Sequence, residues 1–491
     1  MGSVERDMKN MREYFRSGIT KEASWRESQL KGLRRFLIEK ENDIFEALMH
    51  DLGKHRVEAF RDEIGTLVKT LNLAIKCLKD WMSSKKANLP VGAIAFLTTA
   101  EIVHEPLGLV LIISSWNFPF GLSLEPLIGA IAAGNTAVLK PSDLSAASSS
   151  LLASGIANYL DNKAIKVIEG GPEESEQLLQ QKWDKIFFTG SARVGRIVMS
   201  AAATHLTPVT LELGGKCPAV VDSLSSSWNL EATVKRIIVG KYGACAGQAC
   251  IAIDYVIVEK SYCSKLVELM KVWIKKMFGD NPKDSNTIAR IVNRQHLFRL
   301  KKLLTDPKVK ESVVYGGSVD EENLFIEPTI LVNPPLDAAI MVDEVFGPLL
   351  PIITVEKIEE SIEFISSRPK PLALYVFTKN QTLQKRMISE TSSGSVTFND
   401  AILQYAADSL PFGGVGASGF GMYHGKFSFD TFSHQKAILR RSLLTDFWYR
   451  YPPWTPNKFQ LLEVSYHYDY LGLVLVILGL KRSSKRQIVP C

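Results

Sequence analysis

The sequence predicts an α/β protein built from two successive blocks of parallel strands and helices, and three observations carry that prediction. Short apolar runs recur at residues 107–114, 136–139, 164–169 and 185–189 with helical stretches between them. Strands that alternate with helices form parallel sheets. A second alternating block begins near Ala219 and includes 254–259, 349–355, 374–378 and 395–399. Ahead of both, residues 5–85 read as helices. Trp25, Leu30, Leu33, Phe36, Leu37, Ile44, Phe45, Leu48 and Met49 recur at three- and four-residue steps, and Ile64, Leu67, Val68, Leu71, Ile75, Leu78 and Trp81 continue the period.

The 491 residues are enough for two to four domains at roughly 100–200 residues each. A hydrophobic fraction of 46% and a charged fraction of 22% are ordinary for globular chains and exclude a disordered, collagenous or coiled-coil architecture. The net charge is +6, and residues 440–491 carry +5 of it. The near-neutral body offers no broad basic field for nucleic acid. Six cysteines without C-x-x-C or zinc spacing point to free thiols in a reducing compartment. The eight histidines are scattered and H-E-x-x-H does not occur, so no metal site is expected. The charged start, MGSVERDMKN, has no apolar run of the kind a secretory leader needs, and Arg6 stands where a myristoylation motif wants Ser or Thr.

Later segments are less regular. The serine run 223–227 reads as a loop, and the Gly-rich stretch 411–425 reads as irregular. Residues 446–456 are rich in aromatics and prolines. The ten apolar residues 471–480, LGLVLVILGL, precede Lys481, Arg482, Lys485 and Arg486. A spanning helix needs about 20 apolar residues, so this tail does not cross a bilayer unaided. Two readings stand side by side: a monotopic anchor whose basic flank meets anionic lipid, or a segment packed on the body or a partner subunit.

Three stretches carry candidate chemistry. In KYGACAGQACIAIDYV, Cys250 follows Gly247 and Gln248 and precedes a strand-like run, which puts a thiol on a loop at a strand start. A reactive thiol there requires a pKa below its free value of about 8.5. Cys245 fits the commoner role of a small buried hydrophobe. In LELGGKCP, Glu212 stands between two leucines, and apolar surroundings raise a carboxyl pKa toward that of a general base working near neutrality. In SSWNFP, Asn117 follows the run 107–113, at the strand end where parallel sheets hold ligands; its amide could bind an oxyanion. Each residue taken alone also has an ordinary structural reading.

Taken together, WNFP, LKPS, FTGS, LELGGK, GQAC, EVFGP and PFGGVGASG, in that order from about Trp25 to Lys436, resemble the aldehyde dehydrogenase superfamily. Residues 409–434, SLPFGGVGASGFGMYHGKFSFDTFSH, resemble its class 3 branch, including plant-type relatives, which acts on fatty and aromatic aldehydes. The resemblance implies two open Rossmann-like α/β domains. A cofactor-binding domain would span 1–85 and 107–210, and a catalytic domain 211–405. An oligomerisation hairpin would span 86–106, an active-site entrance and oligomerisation segment 406–440, and a hydrophobic, basic tail 441–491.

It further implies oxidation of medium- or long-chain or aromatic aldehydes to acids with NAD, and NADP as an open alternative. Cys250 would be the nucleophile, Glu212 the base and Asn117 an oxyanion donor. Lys140 and Asp143 would meet the adenosine ribose, Trp116 would line the adenine side, and Gly190, Ser191 and Gly195 would open the helix that meets the pyrophosphate. Glu344 and Phe346 would hold the nicotinamide ribose. A homodimer, a cytoplasmic location and peripheral attachment to endomembranes through the tail follow from the same resemblance. A CoA-acylating relative and a non-catalytic lipid-binding protein on the same fold are the alternatives; Glu212 favours hydrolysis over CoA.

Departures are specific. Class 3 members usually carry Glu where Asp143 stands, and a carboxylate there disfavours a 2′-phosphate. Ala249 and Ala417 replace a frequent Thr and Asn. The Glu212–Cys250 interval is longer, through 223–227 and one residue near Ala246. Gly414, Gly416 and Gly419 fit G-x-G-x-x-G, but no strand precedes them and no helix follows, so they read as a backbone-packing segment.

Overall fold

The computed structural model describes residues 3–89, 97–223, 227–444 and 446–480. Two compact units result, one of Met1–Trp81 with Pro106–Ser433 and one of Met82–Glu105 with His434–Cys491.

The larger unit holds two sheets. In the first, the strand order is Gly419–Phe420, Val209–Leu213, Lys185–Gly190, Leu109–Ile113, Thr136–Lys140 and Ile165–Val167. The last five are parallel and Gly419–Phe420 runs antiparallel at the edge. All five side chains of Leu109–Ile113 and of Thr136–Lys140 are buried, which is why these strands read as uninterrupted apolar runs. The chain enters at Leu109–Ile113, builds outward on one side, then crosses back to Lys185–Gly190 on the other. That reversal opens a crevice at the carboxyl ends of the two central strands.

Expected strands 107–114, 136–139, 164–169 and 185–189 appear within a few residues of their expected limits. The strand Val209–Leu213 was not among them, because Thr210 and Glu212 break its apolar run. The domain boundary expected between residues 210 and 211 falls inside this strand, whose pairing with Lys185–Gly190 keeps it in the first sheet.

In the second sheet the order is Val313–Tyr315, Thr329–Val332, Leu349–Val355, Tyr255–Glu259, Pro218–Val221, Ala373–Phe377 and Ser395–Phe398. Its core joins Val220, Tyr255, Ile257, Leu331, Leu349 and Leu374 to Leu297, Leu300 and Leu304 of the helix Arg294–Thr305. Of the serine run, Ser227 begins the helix Ser227–Tyr242, so the loop expected there ends before it; residues 224–226 lie outside the described residues. The segment 411–425 is irregular apart from a short 3-10 turn, Gly416–Ser418, and the edge strand Gly419–Phe420.

The smaller unit holds a three-stranded sheet in which Lys85–Lys86 runs antiparallel to Thr98–Pro106 and Ser433–Arg441 forms the other edge. Lys436 pairs with Glu105 and Arg440 with Glu101. Its tail forms the helices Pro456–Tyr466 and Tyr470–Ile477. Among the described residues no helix is long and apolar enough to cross a membrane. The basic residues Lys481, Arg482, Lys485 and Arg486 and part of the expected hairpin lie outside the described residues.

The helix Gly121–Ala133 is buried on every side, and it carries a carboxyl group inward at Glu125. Burial, reinforced by Asp408, pushes that carboxyl up to about 8. A carboxyl whose pKa is raised on folding stabilises the native state fully only below its ordinary value, and that contribution is lost as pH rises through the raised one. Compared with Glu125→Gln, the wild-type protein therefore loses up to ~1.4 kcal/mol of unfolding free energy per pH unit between about pH 5 and 8, with no further change above that range. Urea denaturation across pH checks this; a difference that stays constant with pH contradicts it.

Candidate active site

The reversal of strand order places two loops at one crevice. Ser115, Trp116 and Asn117 leave the strand Leu109–Ile113, and Gly190 and Ser191 leave Lys185–Gly190. Ser191 caps the helix Ala192–Ala203, its hydroxyl accepting from the Val194 N–H at 3.4 Å. The first turn of that helix thus offers unpaired N–H groups and the positive end of its dipole to the crevice. The groove here has a volume of about 1350 Å³ and is lined by Trp116, Asn117, Gly190, Ser191, Glu212, Cys250, His296, Arg299, Glu344 and Phe346, among others.

A second cavity of about 610 Å³ meets it. Phe118, Leu122, Ile251, Ile402, Tyr405, Phe412 and Tyr423 make it largely apolar. The two spaces share four residues: Leu122, Thr189, Glu212 and Cys250. The thiol is therefore open to both the polar groove and the apolar cavity.

The loop that carries Cys250 is tied down along its length. Gln248 donates to the Cys245 and Arg290 carbonyls, both at 2.9 Å, and its oxygen accepts the Val292 N–H at 3.1 Å. The Tyr375 hydroxyl donates to the Ile251 carbonyl at 2.6 Å, and the Cys217 thiol donates to the Cys250 carbonyl at 3.3 Å. The Asn117 amide, only 3% exposed, donates to the Gln248 carbonyl at 2.9 Å. That bond uses one of its two N–H groups, and the other is free for an oxyanion.

Burial dominates the electrostatics. Glu212 is 2% exposed, neither of its oxygens has a hydrogen-bond partner, and its carboxyl is pushed well above the ordinary range. Burial also pushes the Cys250 thiol up, and the carboxyls of Glu344 and Glu212 add to that; N–H groups of Cys250 and Ile251 act against it. The lowered pKa required of a reactive thiol is not produced by the chain's own charges, because carboxyls rather than cations face the sulfur. Glu344 is raised to about 8 by burial and by Asp254.

The loop bearing Glu344 and Phe346 is clamped from three sides. Lys216 pairs with Asp254 and donates to the carbonyls of Ile340 at 2.8 Å and Asp343 at 2.9 Å. The other Asp254 oxygen accepts the Val345 N–H at 2.8 Å, and Arg299 donates to the Val345 carbonyl at 2.6 Å. Phe346 itself sits at φ 48°, a left-handed conformation that needs such support. A Cβ at Gly214 would stand 2.3 Å from the Glu344 carboxylate, which accounts for the first glycine in LELGGK.

The crevice thus brings together Cys250, Glu212, Asn117, Trp116, Gly190, Ser191, Glu344 and Phe346. Trp116 meets Phe346 edge-on at 5.5 Å and His296 at 5.3 Å, and it lines the groove. Lys140 and Asp143 lie one strand over and outside the groove lining. Lys140 donates to the Gly170 carbonyl at 2.6 Å, and burial lowers its pKa against the pull of Asp143 and Glu174. Gly195 packs its helix against Leu213, where an added Cβ would stand 3.0 Å from the leucine side chain. Gly419 of the G-x-G-x-x-G stretch pairs with Glu212 across the sheet edge.

Sequence reasoning missed Gln248, Lys216, Asp254 and Arg299. Gln248, Lys216 and Asp254 stand inside the quoted stretches, so their side chains were visible candidates; Arg299 carried no local signal.

The residues fit a dinucleotide. Thr189 Oγ1 and both Glu212 oxygens are buried without partners where the groove and the cavity meet, and a helix N-terminus faces the same groove. Replacing Lys216 by Met strands the buried Asp254 carboxylate, so unfolding free energy falls by ~3–5 kcal/mol. The KM for the dinucleotide rises more than the KM for the second substrate. Denaturation and steady-state kinetics check both; an unchanged dinucleotide KM contradicts the clamp.

Comparison with known proteins agrees with this geometry. Residues 2–438 match the family model described as the aldehyde dehydrogenase family. The chain is 54% identical to aldehyde dehydrogenase family 3 member F1 of Arabidopsis thaliana over 480 residues, covering 98% of this chain and 99% of that protein. It is 45% identical to aldehyde dehydrogenase family 3 member A2 of Rattus norvegicus, covering 93% of this chain and 92% of the relative. A substrate-bound structure of Staphylococcus aureus AldH superposes with a TM-score of 0.91 at 42% identity, covering 95% of this chain and all of that one. The chain belongs to the aldehyde dehydrogenase family and is an NAD(P)-dependent oxidoreductase that converts aldehydes to acids.

Proposed function

We propose that the protein oxidises medium- or long-chain aliphatic and aromatic aldehydes through a covalent intermediate on Cys250. The observation that carries this reading is the meeting of an apolar cavity and a dinucleotide-sized groove at Cys250 and Glu212. The aldehyde chain lies among Phe118, Leu122, Tyr405, Phe412 and Tyr423, with its carbonyl at the sulfur. The Cys250 sulfur adds to the carbonyl carbon as its thiol proton passes to solvent in the groove, giving a thiohemiacetal alkoxide. The free N–H of Asn117 and the backbone N–H of Cys250 meet the developing oxyanion. The groove lined by Ser191, Glu344 and Phe346 would hold the oxidised cofactor, which when bound would supply the acceptor for the hydride leaving the thiohemiacetal carbon. A thioester on Cys250 remains. Glu212 takes a proton from water, the oxygen attacks the thioester carbon, the C–S bond breaks, and acid and thiol are released.

Asp143 supports NAD over NADP. It lies beside Gly171 at the end of the strand Thr136–Lys140, and its charge repels a 2′-phosphate. A panel of aldehydes with both nucleotides, read at the NADH band, tests the substrate and cofactor assignments. Glu212→Gln is expected to release about one equivalent of reduced cofactor per site and then turn over ~100- to 10,000-fold more slowly. Cys250→Ser is expected to give neither phase. Unimpaired steady turnover in Glu212→Gln removes the base role.

We further infer peripheral attachment to anionic membrane surfaces through the tail, and a homodimer through the edge strand Ser433–Arg441, most of whose residues are exposed. The helix Tyr470–Ile477 and the residues after it expose Leu471, Val474, Ile477, Leu478 and Leu480, and the sequence places four basic residues next. Apolar side chains beside a basic flank suit an interfacial segment. The full chain should sediment with vesicles of anionic lipid, and a chain ending before Asp446 should stay in solution. Equal partitioning of the two removes the membrane assignment.

A further inference from the structure

The residues that brace the loops of Cys250 and Asn117 come from a stretch that no motif marks. After Lys54, the chain forms a short helix, Arg56–Ala59, and then a π-helical turn, Phe60–Ile64, before the helix Gly65–Met82. In that turn the Gly65 N–H reaches the Phe60 carbonyl, five residues back. Such turns bring residues five apart onto one side, and they recur at functional sites. Here Glu58 and Glu63 both act on the Lys54 cation. All three are buried, at 1% exposed for Lys54, 7% for Glu58 and 0% for Glu63.

Each makes a bond to a site loop. Lys54 donates to Glu63 at 2.7 Å and to the backbone carbonyl of Asn117 at 2.7 Å. The other Glu63 oxygen accepts the N–H groups of Phe120 at 2.8 Å and Gly121 at 3.1 Å, where the helix Gly121–Ala133 begins. The pair thus holds the Asn117 loop on both sides of Pro119. Glu58 accepts the Cys245 N–H at 2.7 Å. Cys245, Ala246 and Gly247 follow one another in the left-handed region, at φ 48°, 52° and 77°. L side chains avoid that region, and the buried Cys245 N–H would otherwise lack a partner. Glu58 supplies that partner for the turn that leads into Cys250. Burial opposes the Lys54 cation, yet Glu63 and its neighbours hold its pKa above the ordinary lysine value, which keeps the brace charged.

We propose that Glu58, with the Lys54–Glu63 pair, is a positioning residue that fixes the Cys250 loop against the Asn117 loop. The proposal rests on the reading of Cys250 as nucleophile. Its function is geometric: a carboxyl oxygen must reach the Cys245 N–H. Glu58→Gln keeps an oxygen in place, whereas Glu58→Asp withdraws it by one methylene. Glu58→Asp is expected to lower kcat and the rate of Cys250 alkylation by iodoacetamide about 10- to 100-fold, with both KM values nearly unchanged. Glu58→Gln should retain kcat within a few-fold of wild type. Lys54→Gln gives an independent second reading through the Asn117 loop, with kcat lowered and both KM values kept.

Wild-type kcat in Glu58→Asp overturns the proposal. So does a loss in Glu58→Gln as large as that in Glu58→Asp, or losses that follow Tm across the variants. Cys250→Ser separates the two levels of inference. If it still oxidises aldehyde, the nucleophile assignment fails. If it is inert while Glu58→Asp and Lys54→Gln behave as wild type, only the positioning role fails.

Discussion

Glu212 and Cys250 meet where the groove joins the apolar cavity, and the cost of charge there shapes the rest of the site. A carboxylate and a thiolate side by side would repel each other, and burial costs each of them hydration, so both are driven toward their neutral forms. The pair then works in turn. The sulfur is needed as an anion only when a carbonyl carbon is beside it, and the carboxylate is needed as a base only after the thioester exists. With its carboxyl held toward the neutral form, Glu212 adds no repelling charge to the first step, and it must release its own proton before it can take one from water in the second.

The fold supplies this junction by arranging edges, not by building a dedicated domain. Reversal of strand order in the first sheet opens the groove and sets Asn117 and Ser191 at its floor. The second sheet presents the Cys250 loop from Tyr255–Glu259 and the Glu344 loop ahead of Leu349–Val355. Neither loop is held by regular pairing, so side chains do that work: Gln248 and Glu58 for one, Lys216, Asp254 and Arg299 for the other. Left-handed residues occur in both, at Cys245 and Ala246 and again at Phe346. Strain of this kind persists only where neighbours over-determine the backbone, and the buried polar braces provide that excess.

Much of this was legible in the sequence, for identifiable reasons. Buried parallel strands must be apolar on both faces, so runs such as Leu109–Ile113 announce themselves. Glu212 was recognisable because leucines flank it. The glycine fingerprint at 414–419 was set aside correctly, since it becomes an antiparallel edge and not a strand-to-helix turn. The hidden parts depended on contacts distant in the chain. Val209–Leu213 carries the base, and that same polar residue broke its strand pattern. Glu58 and Glu63 look like solvated charges on an amphipathic helix until a π-turn and Lys54 draw them inside. Trp116 follows the motif order, yet its ring rests on Phe346, a partner 230 residues away. The direction of the thiol shift is also not written locally, because it is set by which charges fold around the sulfur.

The most direct measurement is the mass of the enzyme trapped in mid-reaction. The Glu212→Gln protein, mixed with NAD and a medium-chain aldehyde and quenched in acid, should carry one acyl group, localised to Cys250 by fragmentation of the peptide that holds both Cys245 and Cys250. An acyl group on Cys245 or Cys217, or an unmodified protein alongside reduced cofactor, would contradict the account.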